Sequence, residues 1–366
     1  MTHREAVHAT LRREPAEFIP GWTFFSTPQA QEILLPGIAG DTSDDRKISF
    51  ARATGSSVLD VSGNLQGRVI EEDETHFIVE ADNGMRRLVV TQPEWFYETL
   101  SRPLDGTYDL DKMHLPDVNS YPEHWDGVAK SVDRFHEEGY FVKGTLDGFY
   151  AGIWEHCRRI EEFLLDLAEG SEFADNLVNR WGAFVCDCAG KLLDCGVDAI
   201  FWTDDLGSNT GPLISPECYR RFFFPWHKRA SDLAHRHGRF AMMHSHGNIN
   251  KLLPDIVETG INVLDPVGPS DGMDLKHLKE TYGDRLSFSG GISRFIADMS
   301  IAELRAHLEE VYRIGSKGGG FLPNEEGGVP KNMSKENFEE YLRMRGEMSR
   351  RYAGGAKGLG GRINIT

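Results

Sequence analysis

One phrase recurs through the C-terminal half of this chain and restricts its fold more than any other feature. A helix ends in glycine, one to three residues follow, and a short apolar strand begins. The instances are EEGYFVKGTLD, DCGVDAIFWTDD, RHGRFAMMHSH, ETGINVLDPV, YGDRLSFSGG and KGGGFLPNEE. Glycine takes the left-handed conformation that terminates a helix. Short apolar strands alternating with amphipathic helices make a parallel sheet covered by helices. FIPGWTFF near the start, and SSVLDVSG ending around Asp60 and Ser62, add two more strands. Eight strands of this kind close an α/β (β/α)8 TIM barrel. A chain of 366 residues is long enough to form it as one domain, residues 1–352.

Two segments depart from the rhythm. Residues 67–91 alternate with period two and contain the turn Asp82-Asn83-Gly84, which predicts a small antiparallel β insertion after strand 2. An insertion there lies on the catalytic face of a barrel and is a candidate lid. The tail from 353 to 366, AGGAKGLGGRINIT, reads as flexible. Among the helices, Ser215-Pro216-Glu217 supplies an N-cap, a first-turn proline and a first-turn acid, and Pro225 is expected to kink or split the helix that follows.

The formal net charge of −17 argues against nucleic acid and anionic membranes as partners. No stretch of about 18 apolar residues is present, so no membrane span is expected. The first helix, MTHREAVHATLRREP, has no apolar signal core, and the expected location is the cytoplasm. The five cysteines form no CxxC pair and read as small buried hydrophobes.

In a barrel the chemistry sits where strands end. The strand ends here carry Trp22 and Phe25, Asp60, Asp147 and Tyr150, Trp202 with Asp204 and Asp205, His244 and His246, Asp265, Ser289, and Asn324 with Glu325 and Glu326. His244-Ser245-His246 is the sharpest of these. Residues two apart on a strand face the same way, about 6.6–6.8 Å apart. Two such imidazoles can share a metal ion, with Glu326 or Glu325 as a third ligand, or act as acid and base without metal. Of Asp204 and Asp205, one carboxylate is expected to enter the site and the other to face the helix layer, and the inward one can bind substrate or act as a base. Trp22, Phe25, Asp60, Asp147, Tyr150, Trp202, Asp265 and Asn324 are the candidate substrate-binding residues.

These stretches resemble the uroporphyrinogen decarboxylase superfamily, which includes cobalamin-dependent methyltransferases. The likeness rests on Glu14-Pro15 with Ile19-Pro20, TDDLGSNTGPLISPECYRRFFFPWHKR, MMHSHGNINKLLPDIVETGINVLDPV, LKETYGDRLSFSGGIS and GGGFLPNEEGGVPKNMSKENFEEY. It implies a (β/α)8 barrel. The decarboxylases carry an arginine-rich loop after the first strand, and here that position reads Gly21-Trp22-Thr23-Phe24-Phe25-Ser26. The methyltransferases hold zinc through a His-x-Cys pair and a later cysteine. Here the pair is His244 and His246, and the last position reads Glu326-Gly327-Gly328.

The resemblance therefore implies a methyltransferase that removes a methyl group from a small methylated compound, such as a methoxylated one, and passes it to a corrinoid protein. Zinc or a similar divalent metal on His244, His246 and Glu326 would be the Lewis acid, with Asp204, Asp205, His244 and His246 as the catalytic set. The alternatives are a decarboxylase or lyase for a smaller acid, and a non-catalytic corrinoid or tetrapyrrole binder.

Overall fold

The computed structural model describes residues 1–38, 43–64 and 67–354. The tail from 355 to 366 lies outside the described residues. Seven strands form one parallel sheet in chain order: Val58–Ser62, Phe141–Asp147, Ala199–Thr203, Phe240–His244, Val263–Val267, Ser287–Ile292 and Phe321–Glu325. Each strand is short, and every connection to the next parallel strand includes at least one helix; between Val58–Ser62 and Phe141–Asp147 the β insertion precedes the helix Pro122–Glu137.

The predicted first strand does not join this ladder as a regular strand. The segment Gly21–Phe25 touches both edges of the sheet instead. Trp22 donates its N–H to the carbonyl of Pro323 at 3.3 Å, and Gly21 accepts from the N–H of Ser57 at 2.7 Å. Phe25 makes one parallel bridge, to Val329. Pro20 has no N–H to donate, and neighbouring polar side chains take up Thr23 and Phe24. Thr23 N–H donates to Ser56 Oγ at 3.0 Å and Phe24 N–H reaches Glu325 Oε2 at 3.4 Å.

Alternation along the strands separates two cores. Val58, Phe141, Ala199, Phe201, Phe240, Met242, Val263 and Leu322 point into the sheet's concave interior. Val7 and Leu11 of the helix His3–Leu11 join them and plug the N-terminal end of the strands. Residues of opposite parity, such as Val142, Ile200, Trp202, Ala241, Met243 and Leu264, pack outward against the helices. The outer layer includes the long helices Glu172–Asp194, Ile301–Gly315 and Lys335–Arg351. Pro225 does split its helix, giving Pro216–Phe222 and Phe224–Arg236.

The antiparallel insertion is larger than 67–91. Four strands, Gly67–Glu72, His76–Ala81, Arg86–Val90 and Phe96–Ser101, pair in sequence order. The fourth strand, FYETLS, has its apolar residues out of strict alternation, which hid it. The turn at Asp82-Asn83-Gly84 anchors the sheet: Asn83 is fully buried and its Nδ2 donates to the carbonyl of His156 at 2.9 Å. Among the described residues no helix is long and apolar enough to cross a membrane.

Candidate active site

His244 ends its strand, and the strand register sets Thr203 and Asp265 beside it. All three share inward parity. His244 Nδ1–H donates to Asp265 Oδ2 at 2.8 Å, and Asp265 Oδ1 accepts from Asn324 Nδ2 at 2.8 Å. Burial by itself would lower the His244 pKa. The hydrogen bond from Asp265 and the charges of Asp265 and Asp205 outweigh burial and the opposing Lys143, so the value is raised above that of an ordinary histidine. Asp265 shows the reverse balance. Burial would raise its pKa, but the His244 hydrogen bond, the His244 charge and Lys143 hold it below the usual carboxylate range.

His246 lies past the strand end. Its ring centroid is 4.8 Å from that of His244, with the planes at 82°. Its Nδ1 is 3.4 Å from Asp271 Oδ2, which also accepts the Gly247 N–H at 2.9 Å. Asp205 completes this side of the cleft. Its Oδ1 accepts the His246 N–H at 3.0 Å and stands 3.6 Å from His244 Nε2.

The floor is aromatic and carries a cation. Trp22 donates Nε1–H to Ser289 Oγ at 2.9 Å. The ammonium of Lys143 lies 3.5 Å from the Trp22 ring centroid and 3.9 Å from that of Phe201. Desolvation lowers its pKa to about 8, against the attraction of Asp60 and Asp265. Lys143, Asp271 and Arg294 were not among the sequence candidates. Lys143 was detectable: it lies four residues before Asp147 on one strand and so shares its inward parity. Asp271 ends the short 3-10 helix Pro269–Asp271 and Arg294 lies in a turn, and neither place has a period to mark it.

Several expected residues stand elsewhere. Phe25 packs between Phe50 and Phe338 in the helix layer. Trp202 has outward parity and packs on Phe149 and His227, and Tyr150 lies between Phe163 and Phe223. Asp204 also turns away from the cleft and is fully buried. Its Oδ1 accepts the N–H groups of Tyr150 and Ala151, at 2.5 and 3.0 Å, and its Oδ2 pairs with His227 Nε2 at 2.8 Å. Gly148 makes room for that carboxylate, since a Cβ there would meet Asp204 Oδ1 at 2.3 Å. Asp60 is exposed beside Lys47, 3.8 Å away, and Asp147 is 3.2 Å from His156 Nε2.

The donor set expected for zinc does not fit. Glu326 is completely buried, and its oxygens are engaged by Arg294 at 2.6 Å and by the N–H and hydroxyl of Ser270. Arg294 also reaches Asp271 at 3.1 Å. Glu325 has outward parity and is tied to Arg345 at 2.9 Å and to the Tyr341 hydroxyl. Among the described residues no group of three or more His, Cys, Asp or Glu side chains converges so as to hold a metal ion.

What remains is a cleft with a held imidazole, a second imidazole, a half-exposed carboxylate and a buried ammonium. A family model described as uroporphyrinogen decarboxylase (URO-D) matches residues 101–348, so the match starts at the last residue of the β insertion. Among solved structures, a methyltransferase from Methanosarcina mazei is similar in fold over 95% of this chain and 99% of its own, with a TM-score of 0.68 and 16% identity. A B12-independent methionine synthase from Shewanella sp. W3-18-1 aligns over 92% of this chain and 94% of its own, with a TM-score of 0.48 and 8% identity. No curated protein matches the chain in sequence.

Proposed function

The chain belongs to the uroporphyrinogen decarboxylase family, and from that premise we propose that it is a methyltransferase that demethylates a small methoxylated compound and passes the methyl group to a corrinoid carried by a partner protein. In this reading Gly21–Phe25 serves as the eighth stave of a (β/α)8 barrel.

The observation that carries the reading is the His244–Asp265 pair at 2.8 Å. Breaking the carbon–oxygen bond of a methoxy group leaves an oxyanion that needs a proton. An imidazole whose pKa is raised by a buried carboxylate is a suitable donor near neutral pH. His244 gives that proton from Nε2, while Asp265 orients the ring through Nδ1 and stabilises its charge. Asn324 fixes Asp265 from the other side. Lys143 places a positive charge in a largely dry floor, where it stabilises the leaving oxygen more than it would in water. A reduced corrinoid supplies the nucleophile that accepts the methyl group, so no nucleophilic side chain is required. Phe24, 58% exposed, and Phe295, 54% exposed, follow two of the elements whose ends form the cleft and offer apolar surface to that partner.

The test is a panel of methoxylated donors carrying an isotopically labelled methyl group, incubated with the enzyme and reduced corrinoid. The expected result is label in the corrinoid together with the demethylated hydroxyl product. Release of carbon dioxide from a small acid, without methyl transfer, supports the second reading. Lys143 favours that alternative, a decarboxylase or lyase, because a buried ammonium can receive a substrate carboxylate.

A further inference from the structure

At the opposite end of the strands from the candidate active site, the chain buries two cations with no carboxylate in contact. Arg13 is 8% exposed and follows the first helix with a φ of 58°. It has the only left-handed backbone among the described non-glycine residues, a conformation that costs energy and persists only where surroundings impose it. Its Nε and Nη2 donate to the carbonyl of Gly283 at 3.0 and 2.8 Å, and Nη2 also reaches that of Leu286 at 3.1 Å. Its Nη1 is buried and has no hydrogen-bond partner among the described residues. Ser287, completely buried, has a hydroxyl in the same condition. Lys279 is nearly as buried, and its ammonium donates only to the carbonyl of Gly319.

These groups lie around the turn Gly318–Gly320, with Arg13 and Ser287 against Gly320 and Lys279 against the carbonyl of Gly319. Gly318, Gly319 and Gly320 have φ values of 74°, 73° and 66°. A Cβ on Gly320 would lie 2.9 Å from Ser287 Oγ and 3.3 Å from Arg13 Nη2. Unpaired buried cations and unmet donors are each expensive, and one small anion relieves both.

We propose that Arg13, Ser287 and Lys279, arranged over Gly320, form a binding site for a small monovalent anion of about chloride's size. Asp284 is exposed and its charge offsets part of the cost of burying Arg13, but among the described residues no carboxylate lies within 4.0 Å of either cation, so neither is held in an ion pair. Desolvation, with Arg13 nearby, lowers the Lys279 pKa to about 7. A bound anion would keep Lys279 charged. The carbonyls of Gly283, Leu286 and Gly319 orient the cations but cannot neutralise them. The site stands at the end remote from the cleft, so its role is to hold the first helix and the Gly318–Gly320 turn in place.

The experiment is thermal unfolding of the full chain in sodium chloride against sodium isethionate at matched ionic strength. Crystals grown in bromide would be examined for anomalous density. The expected results are a saturable rise in Tm with chloride, loss of that chloride dependence in Ser287→Ala, and a bromide peak within hydrogen-bond distance of Arg13 Nη1. Equal Tm in the two salts, or a chloride effect that persists unchanged in Ser287→Ala, would overturn the proposal. If Ser287→Ala fails to fold, the bromide map of the unaltered protein decides: density at Arg13 supports the site, and a featureless cradle refutes it.

Discussion

The proton shared between His244 and Asp265 gives the proposed reaction a pH dependence whose direction can be worked out. The raised His244 pKa means that the donor form is present below it and lost as pH rises through it. Demethylation is therefore expected to fall on the alkaline side. In Asp265→Asn the charge that raises the value is removed, leaving at most a neutral acceptor for Nδ1–H, and the fall moves to lower pH. A pH–rate profile of kcat for both proteins checks this, and an unshifted alkaline limb speaks against the pair. Asp204 has a different role. Its carboxylate caps the helix Ala151–His156 and holds buried His227. Asp204→Ala is expected to destabilise the fold by about 3 kcal/mol, because removing one partner of a buried polar pair leaves the other unsatisfied. Chemical denaturation measures that loss, and a change below ~1 kcal/mol would show that the cap matters little. The two aspartates are adjacent in sequence, so residue type alone could not separate them. Strand alternation did suggest that one would enter the site and the other face the helices, and the geometry identifies which. Glu325 and Glu326 divide by the same parity, but the Arg294 and Ser270 that occupy Glu326 come from a turn and a single 3-10 turn and left no periodic trace.

Among the elements, the antiparallel insertion is the one that stands apart from the parallel sheet. Two of its strands are largely exposed, and its hold on the rest runs through the buried turn at Asn83 and through ion pairs such as Arg87 with Glu155 at 3.2 Å. A sheet anchored at one turn opens more easily than the core it rests on. Asn83→Ala is expected to speed amide hydrogen exchange across residues 76–90 and leave residues 240–244 unchanged. Uniformly faster exchange, or none, would show that the turn is not the anchor. The existence of this element was plain from its period-two pattern and its Asp-Asn-Gly turn, but its extent was not, because Phe96–Ser101 lacks clean alternation. The predicted first strand is irregular for a related reason. FIPGWTFF is apolar enough to be a strand, yet Pro20 removes a donor and Ser56 and Glu325 compete for the next N–H groups.

At the scale of the whole molecule, charge and fold point the same way about substrate. A net charge of −17 and an arginine-free segment from Trp22 to Ser26 disfavour a substrate with many carboxylates, which the single ammonium of Lys143 would not balance. Arg294 is already committed to Asp271 and Glu326. Coproporphyrinogen formation from uroporphyrinogen is expected to stay at background, and formation above it in a chromatographic assay would contradict that exclusion. The fold was legible because the helix–glycine–strand phrase repeats six times and needs no long-range information. The candidate site was legible only where strand parity fixed direction. The measurement that tests the central claim most directly is the absorbance change of reduced corrinoid on methylation by a methoxylated donor, with unaltered protein and with His244→Ala. The unaltered protein is expected to methylate the corrinoid, and His244→Ala to do so ~10²–10⁴-fold more slowly, the span expected for losing a general acid. Equal rates in the two proteins would contradict it.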